Sequence, residues 1–233
     1  MDAKTDERGP LAVSPIGRVA APVKEQVLNA IRDAILDFRL KPGERLIERE
    51  IIEQMGVSRA TVREAISVLA SEGLVTIVPQ KGARVTAPTP EDAADLYEIR
   101  ASLESMVVRR FVDRASDAEV EHLAATVEHM ADRLAEPPTI VDFLKVKDEF
   151  YEVLLAGARS APLSQLLESI QARVRLLRVT SLSTSDRLPQ VVKEMREIAE
   201  AITSRSPDRA ARLMTEHIGT AARLALGALP GTP

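Results

Sequence analysis

Residues Ile47–Val75, IEREIIEQMGVSRATVREAISVLASEGLV, constrain this chain more than any other stretch. Ile51, Ile52 and Met55 place apolar side chains on one face of a short helix over Glu48–Met55. Gly56 stops it, Val57 plugs the corner, and Ser58 stands where an N-cap hydroxyl belongs, with Arg63 and Glu64 in the next turns. A second helix spans Arg59–Ser71, with Val62, Ala65, Ile66 and Leu69 inward, until Glu72-Gly73 ends it. Its opening turn presents Arg59, Ala60, Thr61 and Arg63, groups suited to phosphate oxygens and to base edges in the major groove. Two helices joined in this way make a helix-turn-helix whose second member is a recognition helix. Any two amphipathic helices around a glycine turn would share the pattern, so the flanks decide its meaning.

The flanks favour DNA binding. Leu74–Val78 is rich in β-formers, Pro79-Gln80-Lys81-Gly82 is a turn, and Ala83–Thr86 can return as a second strand. A basic-tipped hairpin directly after a helix-turn-helix is a wing, offering Lys81, Gly82 and Arg84 to a DNA backbone or minor groove. Upstream, Val27, Ile31, Ala34, Ile35 and Phe38 form one stripe of a supporting helix over Val23–Phe38, ended by Lys41-Pro42-Gly43. Residues 1–20 mix charge, Gly and Pro without period. They read as a disordered, solvated leader, or as an extra minor-groove arm using Arg8 and Arg18.

These motifs together resemble the N-terminal domain of the GntR family of bacterial transcription regulators. The resemblance runs from AILDFRLKPGERLIERE through GVSRATVREAISVLASEGLV to PQKGARV, about a third of the chain. It implies DNA contacts at Arg49, Ser58, Arg59, Thr61, Arg63 and Gly82, which Lys81 joins from the wing tip. Ala60 stands where relatives often carry Thr or a larger group, so one contact there is missing or replaced by methyl packing.

A net charge of −4 is unusual for a DNA binder. Residues 20–87 carry 10 Lys and Arg against 9 Asp and Glu, whereas residues 88–233 carry 18 against 23. The acidity therefore belongs to the second half, and DNA affinity must come from local clustering and dimerisation rather than from a global field. With aromatics at 3% and no Trp, the core is packed by aliphatic side chains, which favours helices. The chain has no cysteine, which removes disulfides and thiolate zinc sites. No apolar run approaches the ~20 residues that span a bilayer, and no signal-peptide core is present, so a soluble cytoplasmic protein is expected.

Ala87-Pro88-Thr89-Pro90 reads as a stiff linker. Beyond it the pattern is helical throughout, with helices expected over Asp92–Ala115, Asp117–Leu134, Ile140–Ala156, Leu163–Leu182, Leu188–Ser204 and Pro207–Leu229. Asp117 and Ser206 can each cap the helix downstream, and Pro207 suits a first turn. Short connections make neighbours antiparallel, as in a bundle. LYEIRASLES, DEFYEVLLAGARSAPL and SPDRAARLMTEHI, in this order and spacing, resemble the all-helical C-terminal sensor domain of the FadR-type branch of the family.

Most relatives of that branch hold a divalent metal with one Asp and three His. Aligned on the landmarks of this chain, those positions carry Lys147, Tyr151, Met195 and His217. One imidazole, an ammonium and a phenol cannot build an ordinary divalent site, and Asp148, one residue off, is turned about 100° around the helix. The resemblance thus implies no metal and no other cofactor. Lys147 and Tyr151 lie four apart on one face. With Arg100, which stands in the place of a cavity-lining Arg, and with His217 and Met195, they could bind an anionic ligand directly. Alternatively, Lys147 snorkels to solvent while Met195 and Tyr151 fill the cavity. His122 and His129, with Glu121 and Glu128, read as a solvated polar face rather than a metal site. Arg173, Arg175 and Arg178 read as solvent-facing or as a dimer rim.

The expected fold class is mainly α: an N-terminal winged helix-turn-helix plus a C-terminal antiparallel all-helical bundle. Residues 1–20 form a tail, 21–86 the DNA-binding domain, 87–90 the linker, and 91–229 the domain for effector binding and dimerisation. The expected function is a ligand-responsive regulator, a repressor, that binds a double-stranded operator as a homodimer and senses a small carboxylate or other anionic metabolite. A long acyl ligand or a filled sensor cavity are the alternatives. No membrane partner and no enzymatic activity are expected: no catalytic triad order, nucleotide-binding glycine loop or metal-hydrolase motif occurs. The aminotransferase-fused branch of the family would need an α/β domain and a Schiff-base lysine, which these residues do not supply.

Overall fold

A computed structural model describes residues 22–134, 139–182 and 187–229. The leader expected over residues 1–20 lies outside the described residues, as does any arm built from Arg8 and Arg18.

In the first unit, α1 (Val23–Leu36) packs on α3 (Arg59–Ser71), and α2 (Glu48–Met55) joins α3 at the helix-turn-helix corner. Gly56 closes α2 in the left-handed conformation, φ 64°, and its N–H reaches Ile52 O, which only a residue without a Cβ adopts cheaply. Ser58 then caps α3, accepting from Thr61 N. Val62, Ala65, Ile66 and Leu69 are buried on the inner face of α3 against Val27, Ile31 and Ile35 of α1. Ile51, Ile52 and Met55 of α2 pack half-buried against the same core.

The wing holds more than a hairpin. Strands β2 (Val75–Val78) and β3 (Gly82–Val85) pair antiparallel, and a two-residue strand, β1 (Arg45–Leu46), adds to the other side of β3 in the order β1-β3-β2. Gly82 belongs to β3 rather than to the turn. Alternation sends Leu46, Val75, Ala83 and Val85 into the core and leaves Arg45, Thr76 and Arg84 exposed.

The second unit is a bundle of α4 (Pro90–Arg114), α5 (Asp117–Asp132), α6 (Ile140–Ala158), α7 (Ala161–Leu182), α8 (Arg187–Thr203) and α9 (Pro207–Ala228). Helix α4 runs along α9 and also meets α6, while α5 lies between α6 and α8. Pro90, expected in the linker, is the first residue of α4: Thr89 caps the helix by accepting from Asp92 N, and proline loses nothing where the N–H has no intrahelical partner. The cap of α5 is Ser116, in a reciprocal capping box with Glu119, so Asp117 is a first-turn residue and not the cap. Ser206 makes no side-chain capping bond to α9.

The two units touch where α7 reaches back. Arg173 packs on Gly73 at the C-terminal end of α3, its Cδ 2.7 Å from where a Cβ at Gly73 would sit. A cleft of about 560 Å³ opens beside this contact, bordered by Ile77 and Thr86 of the wing and by Asp92, Asp95 and Ile99 of α4.

Candidate DNA interface and buried sensor cluster

The DNA-facing candidates fall on one helix start, one recognition helix and one wing tip. Arg49 at the start of α2 is exposed and lies 3.8 Å from Glu53. Arg59 and Lys81 are exposed, and their side chains make no hydrogen bond or ion pair with any described residue. Arg63 is exposed, but its Nε donates to Glu48 Oε2 at 3.0 Å, so α3 is tied to α2 through a guanidinium that must leave a carboxylate to meet a phosphate. Ser58 and Thr61 are engaged with each other, Oγ to Oγ1 at 2.9 Å, besides the capping bond from Thr61 N at 3.2 Å. Their hydroxyls therefore organise the first turn of α3 as well as facing outward. Gly82 at the wing tip has φ 86°.

All five effector candidates are buried in the bundle: Arg100 on α4, Lys147 and Tyr151 on α6, Met195 on α8 and His217 on α9. Lys147 does not snorkel to solvent. It is 3% exposed, and its Nζ donates to His217 Nε2 at 2.8 Å. The other ring nitrogen, Nδ1, carries the proton and donates to Glu194 Oε2 at 2.5 Å. Arg187 completes the row, with Nη1 and Nη2 donating to Glu194 at 2.7 and 2.9 Å. Beside it, Arg100 Nε donates to Glu104 Oε1 at 2.6 Å and Nη2 to Tyr151 Oη at 2.9 Å. The Arg100 guanidinium also lies about 6 Å from the ring centres of Tyr97 and Tyr151.

The electrostatics fix the imidazole's state. Burial and the neighbouring Lys147 charge push His217 down to about 3, against a smaller upward pull from Glu194, so the ring is neutral. Burial alone would raise Glu194, but the bonds from His217 and Arg187 prevail and hold it at about 2. Burial works against the Arg100 charge, and Glu104 and the tyrosines more than compensate, so its pKa rises.

These residues do not fit a divalent metal. The one imidazole lone pair that could ligate, on Nε2, is taken by the Lys147 ammonium, and the other nitrogen is committed as a donor to Glu194. No cluster of three His, Asp or Glu suited to a metal occurs among the described residues. Asp148 pairs instead with Arg175 at 2.7 Å, which ties α6 to α7 and removes Arg175 from the solvent-facing patch expected of it. Arg173 turns to Gly73, and the Arg178 side chain lies outside the described ones. His129 Nδ1 meets Glu149 at 3.1 Å on the surface between α5 and α6.

Sequence reasoning missed three members of the cluster. Glu104 stands four residues after Arg100, an ordinary helical pair legible in principle. Glu194 precedes the aligned Met195, and Arg187 lies two turns earlier on the same helix. The signal for them was a pair of opposite charges seven apart on an otherwise apolar face.

Comparison with known proteins agrees with both halves. Residues 23–85 match the model for bacterial regulatory proteins of the gntR family, and residues 95–220 match the FCD domain. The chain is 31% identical over 183 residues to the Nta operon transcriptional regulator of Aminobacter aminovorans, covering 78% of this chain and 85% of that protein. It is 27% identical over 197 residues to the transcriptional repressor RspR of Escherichia coli K12, covering 84% and 86%. A transcriptional regulator of Rhodococcus sp. RHA1 described as GntR superposes with a TM-score of 0.75 at 25% identity, over 89% of this chain and 99% of that one. No helix among the described residues is long and apolar enough to cross a membrane. The chain belongs to the GntR family, as a DNA-binding transcription regulator, not an enzyme, whose winged helix-turn-helix is followed by an FCD domain.

Proposed function

We propose that this regulator is a repressor that binds its operator as a homodimer and releases it when a small carboxylate, or another small anion, enters the FCD bundle beside Arg100, Lys147, Tyr151, Met195 and His217. The observation that carries the reading is a buried hydrogen-bond donor without an acceptor. Arg100 and Arg187 pair with Glu104 and Glu194, and the Lys147 Nζ is bonded to His217. Arg100 is 1% exposed, and its Nη1 has no hydrogen-bond partner. A buried guanidinium N–H left without an acceptor is costly, and an anion within reach supplies one. The repressor sense is taken from RspR, a relative named as a repressor. On the DNA side the reading uses Arg49, Ser58, Arg59, Thr61, Arg63, Lys81 and Gly82, doubled by two-fold symmetry on a pseudo-palindrome. A coupling of roughly 1–3 kcal/mol between effector and operator is typical of such linkage.

A second reading has its own support. The row Lys147–His217–Glu194–Arg187 is held by hydrogen bonds among its own members, as a filled, ligand-independent core would be, with Arg187 Nε left without a partner. Thermal unfolding of the purified protein against carboxylates, sugar acids and acyl thioesters, each with and without a chelator, separates the two. A ligand at 100 times its Kd adds about 2.7 kcal/mol. Stabilisation by one anion, indifferent to chelator, is the expected result. Stabilisation that chelator abolishes would overturn the metal-free site, and a silent panel would favour the filled core.

A further inference from the structure

Strand β1 brings a second cation to the wing that the helix-turn-helix pattern does not announce. The register sets Arg45 directly opposite Arg84 on the exposed face of the sheet. Like charges placed so destabilise a strand pair unless an anion lies between them. Arg84 is partly occupied, its Nη1 donating to Gly43 O at 3.1 Å. The Arg45 side chain makes no hydrogen bond or ion pair with any described residue. Glu44, next to it, is turned away and accepts from Lys41 N at 2.8 Å, and Glu50, which lines the same cleft as Arg45, does not pair with it. The Arg45 guanidinium instead lies over the wing tip, with Nη2 and Nε 3.7 and 3.8 Å from where a Cβ at Gly82 would stand. Lys81, exposed and unpaired, flanks the same glycine.

We propose that Arg45 is a phosphate contact of the DNA complex. With Arg84 and Lys81 it forms a three-cation edge around Gly82 that grips the backbone where the wing enters, and it reads no base. The inference rests on the wing meeting DNA, as proposed above. A planar guanidinium on a strand, held beside a residue with no side chain, suits the geometry of a phosphate that must approach closely. Such a contact adds affinity without sequence preference.

The test uses the full-length protein and a labelled duplex of about 30 base pairs of mixed sequence, since a phosphate contact also acts in non-specific binding. Affinity is measured by anisotropy across a salt series for the parent, Arg45→Ala, Arg45→Lys, Lys81→Ala and, as a distant control, Lys193→Ala. Arg45→Ala is expected to bind roughly three- to tenfold more weakly and to lower the slope of log K against log salt by about 0.9. Arg45→Lys keeps most of the slope, Lys193→Ala changes neither quantity, and the unfolding temperature of Arg45→Ala without DNA does not fall. If Arg45→Ala leaves slope and affinity intact while Lys81→Ala lowers both, the Arg45 contact is wrong and the wing reading stands. If neither variant moves them, the wing reading falls with it. Should Arg45→Ala also melt earlier, Arg45→Lys decides: a retained slope supports the contact and a lost one overturns it.

Discussion

Lys147 donates to His217 across the bundle, Nζ to Nε2 at 2.8 Å, from helices seventy residues apart in sequence. The ammonium sits against the lone pair a metal would need, and burial first, with this charge second, keeps the imidazole from taking a proton. This makes acid stability a direct report on the pair. His217 is held at about 3, against an ordinary 6.5, so between these values the unfolded chain binds a proton that the folded chain refuses. The contribution is complete above about pH 6.5 and is lost as pH falls toward 3. Glu194, lowered to about 2 from 4.5, acts in the same direction below pH 4.5. Urea unfolding at pH 7.5, 6 and 5 should show falling stability over the His217 window. Lys147→Met should flatten that fall by letting His217 titrate nearer its usual value.

Glu194→Gln should cost about 2–4 kcal/mol of unfolding free energy, because it strands the 4%-exposed Arg187 as an unpaired buried charge. Arg187→Met together with Glu194→Gln should recover part of it. A double-mutant cycle by urea unfolding measures the coupling, and additive losses would show that the pair does not act together.

Gly157 on α6 faces Phe111 of α4. A Cβ there would overlap the ring edge, 2.6 Å from Cδ2, and crowd Ala115. Gly157→Ala should therefore destabilise the bundle by about 1–3 kcal/mol despite alanine's better helix propensity. Combining it with Phe111→Leu should return part of the loss in thermal unfolding.

Arg59→Ala with Arg63→Ala should largely abolish DNA binding while leaving the circular-dichroism spectrum unchanged, since neither side chain contributes to the core. Undiminished binding would refute the recognition-helix assignment. Glu48→Gln, which frees Arg63 from its carboxylate, should tighten non-specific DNA binding modestly, most clearly at low salt.

What could be read from the chain divides by how far apart the partners lie. The helix-turn-helix was legible because Gly56, Ser58 and the buried set from Val62 to Leu69 act within a few turns of each other. Strand β1 was not: two residues carry no period, and Arg45 becomes a strand only by meeting Arg84. Pro90 was misassigned because a proline ends one element as readily as it opens the next, and Thr89 decides which. In the bundle, the resemblance to metal-holding relatives pointed to the aligned positions and located Lys147 and His217, but it led past Glu194 to Met195. Which carboxylate answers a buried cation depends on helix packing, and that is a property of the assembled bundle.

The contact of Arg173 with Gly73 has a mechanical consequence. It places a sensor-helix side chain at the tail of the recognition helix, the end away from Arg59. Helix α3, thirteen residues long, is a rod of about 20 Å. A pivot of about 10° at that tail swings its leading turn by about 3.4 Å, the rise of one base pair. A rotation of α7, if an effector drives one, would pass through this contact to the spacing of the DNA ladder itself, and would bear on the register of the grip as well as on its strength.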